Sequence, residues 1–166
     1  MESRLRHWLF DPKKTLRDAD VKPGQTVLEV GCGTGFFTLP AAEILGESGH
    51  LIAMDPLSDY VDRVTTKVQD AGLKNVEVIR RDALNTELES TSIDLVLLFG
   101  VVPFPTLPLG RLLPEMHRVL KVDGTLAVWL FPSSAGVTAF ILRSGLFTKL
   151  GKKNGVYTYK RSGGPV

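Results

Sequence analysis

Three glycines at alternate positions, Gly31, Gly33 and Gly35, separate an apolar run, Thr26 to Val30, from a stretch with helical spacing, Phe36 to Leu45. So tight a passage from strand to helix points to an open α/β sheet. Glycine lets the chain reverse at the strand's carboxyl end and lets a ligand approach the backbone with no Cβ in the way. In such sheets the ligand crevice lies beyond the carboxyl ends of the strands, where strand order reverses. The run before the loop is apolar at successive positions, as a strand covered on both faces must be.

The same alternation continues along the chain. Lys22-Pro23-Gly24 is a turn into the first strand, and Gly46-Glu47-Ser48-Gly49 ends the first helix before a second strand over Leu51 to Met54. Ser58 or Asp59 is expected to cap the next helix, whose apolar residues Tyr60, Val61, Val64 and Val68 recur at helical spacing up to Gly72. Asn75 to Arg80 and Ile93 to Phe99 read as strands three and four. Leu109 to Leu120 is an amphipathic helix, and Asp123-Gly124 turns into a fifth strand, Thr125 to Phe131. A short helix over Val137 to Arg143 follows. Lys149 to Leu150 and Val156 to Lys160 then flank Gly151-Lys152-Lys153-Asn154-Gly155, a hairpin signal. Five βα units closing on an antiparallel pair define a doubly wound α/β domain.

At 166 residues with 43% apolar content, the chain has enough material for one core, and residues 1–166 are read as one domain. A net charge of +2 argues against a dedicated nucleic-acid binder. The only cysteine, Cys32, excludes an intrachain disulfide and a multi-cysteine zinc site, and His7, His50 and His117 share no ligand spacing, so no metal site is expected. The longest apolar run, Leu95 to about Phe104, falls short of the roughly 20 residues of a membrane span. The N-terminus lacks the order of a secretory signal, so a cytoplasmic location is expected. Residues 1–22 read as a helical segment placed to cover a pocket, and residues 162–166 as a frayed tail.

A dinucleotide loop would read G-x-G-x-x-G/A, its third small residue allowing close helix packing and its helix N-terminus facing a pyrophosphate. Here the third glycine comes one residue early and position 36 is Phe. Val27 to Gly35, a hydrophobic pair, an acidic residue and G-x-G-x-G, resembles the class I methyltransferases that use S-adenosylmethionine. The resemblance extends over essentially the whole chain. It is nearest the small stand-alone enzymes related to the quinone-biosynthesis group, including the Phe10-Asp11-Pro12 and Lys22-Pro23-Gly24 approach. It implies a Rossmann-like seven-stranded sheet, mostly parallel, in the order 3-2-1-4-5-7-6 with helices on both faces.

The resemblance also distributes the cofactor. Glu29 and the loop Gly31, Cys32, Gly33, Thr34 and Gly35 would hold the methionine part. Asp55, 24 residues after Gly31, would accept from the ribose hydroxyls, with Pro56 and Leu57 beside the adenine. Asp82 would accept from the adenine amino group, Ala83 and Leu84 would add apolar contacts, and Phe99 and Gly100 would lie beside the sulfonium.

The segment after strand four, Gly100-Val101-Val102-Pro103-Phe104-Pro105, departs from relatives that carry Asn, Asp or His there. It also lacks the Asn/Asp-Pro-Pro-aromatic motif of adenine and glutamine methylation. A sulfonium methyl is already electrophilic, so alignment and exclusion of water can suffice without a dedicated base. No catalytic residue is assigned; His7, beside Trp8 and Phe10, is the best-placed candidate base, while His50 and His117 read as surface residues. The short stretch between Phe131 and Gly145 leaves little for a lid, so the acceptor is expected to be large, or a second subunit or partner to complete the cover. Lys149, Lys152, Lys153, Lys160 and Arg161 read as a solvated edge. The competing readings are a non-catalytic module that binds S-adenosylmethionine or serves as a scaffold and, behind it, a nicotinamide-dependent oxidoreductase.

Overall fold

The computed structural model describes residues 11–130 and 135–163. Its elements in chain order are α1 (Pro12–Asp18), β1 (Thr26–Val30), α2 (Thr38–Leu45), β2 (His50–Asp55), α3 (Ser58–Asp70), β3 (Val76–Arg80), β4 (Ile93–Phe99), α4 (Leu109–Val119), β5 (Leu120–Trp129), α5 (Ala135–Arg143), β6 (Phe147–Lys153) and β7 (Val156–Arg161). The strands form one seven-stranded sheet in the order β3-β2-β1-β4-β5-β7-β6. β1 to β5 run parallel and β7 joins β5 and β6 antiparallel. No helix among the described residues is long and apolar enough to cross a membrane.

Alternating side chains of each central strand enter different cores. Leu28, Val30, Ile52, Met54, Val96 and Leu98 pack with Leu112, Leu113 and Met116 of α4 and with Val137 and Ile141 of α5. Val27, Leu51, Leu95 and Leu97 pack with Leu16 of α1 and Ala41, Ala42 and Leu45 of α2. Ala53 carries that second face under Val64 and Val68 of α3. Burial on both faces is why these strands are apolar at successive positions. The order reverses between β1 and β4, so the crevice expected of a doubly wound sheet opens at their carboxyl ends.

Several boundaries differ from expectation, each through a contact distant in sequence. α2 begins at Thr38 rather than Phe36, because Phe36 and Phe37 complete the loop and the Thr38 hydroxyl is held by Glu29 of β1. α3 has Leu57 at its N-cap with no side-chain cap bond; Ser58 and Asp59 lie inside the first turn, where Asp59 complements the helix dipole. β5 starts early: Ile93 pairs with Leu120 and Leu95 with Thr125, so the Asp123-Gly124 turn is realised as a bulge. The end expected for that strand, Phe131, lies outside the described residues, as do positions 164–166 of the tail. β6 is longer than Lys149 to Leu150. The reversal is only Asn154-Gly155, whose φ values of +48° and +82° fit a two-residue hairpin turn.

One buried-edge network fixes the segment between β3 and β4. Glu115 of α4 accepts from the Thr86 N–H at 3.0 Å, from the Thr86 hydroxyl at 2.7 Å and from Arg118 at 2.7 Å. Arg118 also donates to the Leu88 carbonyl at 2.8 Å. Arg118 beside it, helped by Thr86, holds the Glu115 carboxyl down to about 2 against the opposing effect of burial. That stabilisation is present above the ordinary 4.5 and is lost as pH falls towards 2. Glu115→Ala is expected to cost about 2 kcal/mol in urea unfolding at neutral pH, with the difference from wild type shrinking in acid.

Candidate functional site

The loop from β1 to α2 takes positive φ at Gly31 (+71°), Gly33 (+51°) and Gly35 (+87°). Four of its N–H groups turn inward. Gly31 and Cys32 donate to the Met54 carbonyl at 2.8 and 3.0 Å, and Gly35 donates to the Cys32 carbonyl at 2.9 Å. Gly33 donates to Asp55 Oδ2 at 3.1 Å. A diphosphate cradle works by aiming such donors at the ligand; here those four are spent on the protein.

Two buried carboxylates stand below the loop. Asp55 closes β2 and takes the Leu57 N–H on Oδ1 at 3.0 Å besides that of Gly33, leaving lone pairs on both oxygens for hydroxyl donors. Glu29 points to the α2 face and accepts from the Thr38 hydroxyl at 2.7 Å. Burial, reinforced by Asp55 and opposed by Thr38, pushes the Glu29 carboxyl up to about 7. The folded state therefore holds a proton that the unfolded chain releases near 4.5, so this contribution is full below that pH and is lost as pH rises through about 7. The loss amounts to roughly 3 kcal/mol. Glu29→Gln keeps a neutral partner for Thr38 and is expected to flatten that part of the stability profile; urea unfolding of both proteins from pH 4 to pH 8 checks it. The Cys32 thiol is pushed up by burial first and then by both carboxylates, which disfavours its thiolate.

A cavity of about 420 Å³ spans the carboxyl ends of β1, β2 and β3. It brings together the expected Gly31, Pro56, Leu57, Asp82 and Ala83. Asp82 is exposed, and its Oδ1 accepts from the Leu84 N–H at 2.9 Å. Glu29, Cys32, Gly33, Thr34, Gly35, Asp55, Leu84, Phe99 and Gly100 do not line this cavity.

Five of its lining residues lie beyond the expected set: Val30, Met54, Arg81, Thr106 and Leu107. Val30 and Met54 directly precede Gly31 and Asp55 and were legible from that position. Thr106 and Leu107 arrive through a turn in which the Leu107 N–H meets the Phe104 carbonyl at 3.0 Å, with Pro105 presetting the bend. A larger depression, about 640 Å³, lies at the opposite edge, where α2 and α3 end beside Gly46 and Gly72, away from the crevice.

Where β4 and β5 end, Phe37 meets Phe36, Phe99 and Trp129 edge-on at centroid distances of 4.9, 5.0 and 5.9 Å. Val101 follows directly and covers Gly31: a Cβ placed on Gly31 would come within 2.5 Å of Val101 Cγ1. His50 opens β2 at the amino edge, 3.4 Å from Glu77. His117, half-buried rather than a surface residue, meets the Ser162 carbonyl at 2.7 Å and packs edge-on against Phe147. Neither reaches the crevice. His7 lies outside the described residues, and among the described residues no group of three His, Cys, Asp or Glu side chains could hold a metal.

The donor set fits an adenosyl thioether: carboxylates for hydroxyl and amino donors, apolar walls, and four loop N–H groups already spent on the protein. With the sheet order, this defines the S-adenosylmethionine-dependent methyltransferases. A family model described as a methyltransferase domain matches residues 27–124, and the chain belongs to that family. Its cofactor is S-adenosylmethionine. A demethylmenaquinone methyltransferase from Bacillus cereus is 35% identical over 113 residues, covering 68% of this chain and 47% of that protein. One from Listeria welshimeri is 35% identical over 116 residues, covering 69% and 48%. The chain thus spans about half the length of the curated relatives it matches. An S-adenosylmethionine-dependent methyltransferase from Aquifex aeolicus superposes with a TM-score of 0.79 at 26% identity, covering 96% of this chain and 93% of that one. The [4+2]-cyclase SpnF shares the fold, with a TM-score of 0.72 at 20% identity over 84% of this chain and 57% of that one.

Proposed function

We propose that residues 1–166 act as one cytoplasmic methyltransferase domain that moves a methyl group in line onto a flat, apolar acceptor. The observation that carries the cofactor side is the loop itself, four of whose N–H groups are spent inward beside a cavity holding Gly31, Asp82 and Ala83. When bound, S-adenosylmethionine supplies a methyl group on an electrophilic sulfonium. Asp55 holds the ribose hydroxyls, and Asp82 accepts from the adenine amino group between Pro56, Leu57, Ala83 and Leu84. Gly31 to Gly35, with Glu29 beneath, hold the amino-acid part, while Phe99 and Gly100 border the reacting end.

The chain's remaining task is to orient the acceptor and exclude water, and proximity of this kind is worth roughly 7 to 11 kcal/mol. The ladder of Phe36, Phe37, Phe99 and Trp129 and the plain Val101 side chain support an apolar acceptor. The relatives' name, demethylmenaquinone methyltransferase, supports a ring of the quinone-precursor class. A second subunit or partner completes the acceptor cover. Incubation with methyl-labelled cofactor and cell extract is expected to label a small aromatic lipid; label confined to protein or RNA contradicts this acceptor.

A second reading, a subunit that binds the cofactor without using it, is favoured by the lack of His50 and His117 at the crevice. Tight S-adenosylhomocysteine binding with no labelled product in any extract supports that reading.

A further inference from the structure

The cofactor loop is gripped from the β2–α3 unit at two peptides with a single peptide between them. Asp55 at the end of β2 takes the Gly33 N–H, and Lys67, in the last turn of α3, donates from Nζ to the Thr34 carbonyl at 2.7 Å. Lys67 is half-buried, and its stem lies along the loop. A Cβ on Gly35 would meet Val64 Cγ2 at 3.3 Å and Lys67 Cδ at 3.8 Å. Val64 and Lys67, three residues apart, share the helix face that is pressed to this turn.

Thr34 stands between glycines at positive φ, so the peptides on either side of it have the least intrinsic preference in the loop. The Gly35 N–H, which shares its peptide with the Thr34 carbonyl, is committed to Cys32 at 2.9 Å. A charged donor on the carbonyl side makes the stronger of those two attachments.

We propose that Lys67 is a positioning residue for the cofactor loop, holding the Thr34–Gly35 peptide with its carbonyl turned toward α3. This rests on the reading of residues 31–35 as the seat of the cofactor's amino-acid part. A rotated peptide would swing the Thr34 oxygen off α3 and break the turn closed by Gly35. Lys67 acts through the backbone and touches no reacting atom.

Lys67→Met keeps most of the stem over Gly35 and removes the charge and the donor; Lys67→Arg restores both. In ligand-free protein, amide exchange at Gly35 is expected to accelerate about tenfold in Lys67→Met, the equivalent of one charge-assisted hydrogen bond. S-adenosylhomocysteine binding by calorimetry is expected to weaken by about the same factor, with KM raised and kcat within about twofold. Lys67→Arg is expected to recover exchange and affinity to within about threefold of wild type. A Lys67→Met protein with wild-type Gly35 exchange overturns the proposal whatever it binds. Altered exchange with unchanged affinity overturns its link to the cofactor. Failure of the wild type itself to bind S-adenosylhomocysteine instead overturns the cofactor reading, and Gly35 exchange still decides the role of Lys67 in the loop.

Discussion

Asp55→Ala is expected to weaken S-adenosylhomocysteine binding by at least about a hundredfold, because hydrogen bonds to a charged acceptor are worth roughly 1.5 to 3 kcal/mol each and more than one is lost. The carboxylate has two jobs. Under the proposed function it would take the ribose hydroxyls, and through 3.1 and 3.0 Å contacts it anchors the N–H groups of Gly33 and Leu57. Asp55→Asn keeps the shape and one acceptor oxygen, so an intermediate loss is expected. Calorimetric titration of the three proteins reads both effects, and affinity within about threefold of wild type in Asp55→Ala would remove Asp55 from the site.

Gly31→Ala carries the other large effect. Its new Cβ would lie 2.5 Å from Val101 Cγ1, and the residue must keep φ near +71°. Left-handed backbone alone costs a non-glycine residue roughly 1 to 2 kcal/mol. The expected result is a thermal midpoint lowered by several degrees and no measurable cofactor binding. Val101→Ala in the same chain removes the side-chain collision and leaves the backbone strain. The double variant is expected to regain part of the stability, with a coupling above about 1 kcal/mol. Simple additivity of the two substitutions in thermal unfolding would show that Val101 does not press on Gly31.

The central strands were legible because apolar residues at successive positions have one cheap explanation, burial on both faces. Thr26 to Val30 and Ile93 to Phe99 agree with β1 and β4 residue for residue. The glycine loop was legible for a related reason, since a strand-to-helix reversal beside a ligand needs residues without a Cβ. What escaped local reading was decided by partners far along the chain. The start of α2 depends on Thr38 meeting Glu29, and the length of β6 depends on pairing with β7, its exposed lysines giving no alternation to follow. Thr106 and Leu107 reach the cavity only because the post-β4 segment folds back. No periodicity within Val101 to Pro108 announces that, although Pro105 marks the bend.

Sharing of this fold by a cyclase places the weight of assignment on the loop chemistry rather than on the sheet. Inward-spent N–H groups at Gly31, Cys32, Gly33 and Gly35 suit an amino-acid sulfonium and give a diphosphate little to hold. Parallel calorimetric titrations of the purified protein with S-adenosylhomocysteine and with NADH test this most directly. Saturable one-to-one binding of S-adenosylhomocysteine, with no heat from NADH, is the expected result. Saturation by NADH with S-adenosylhomocysteine left unbound would contradict the account.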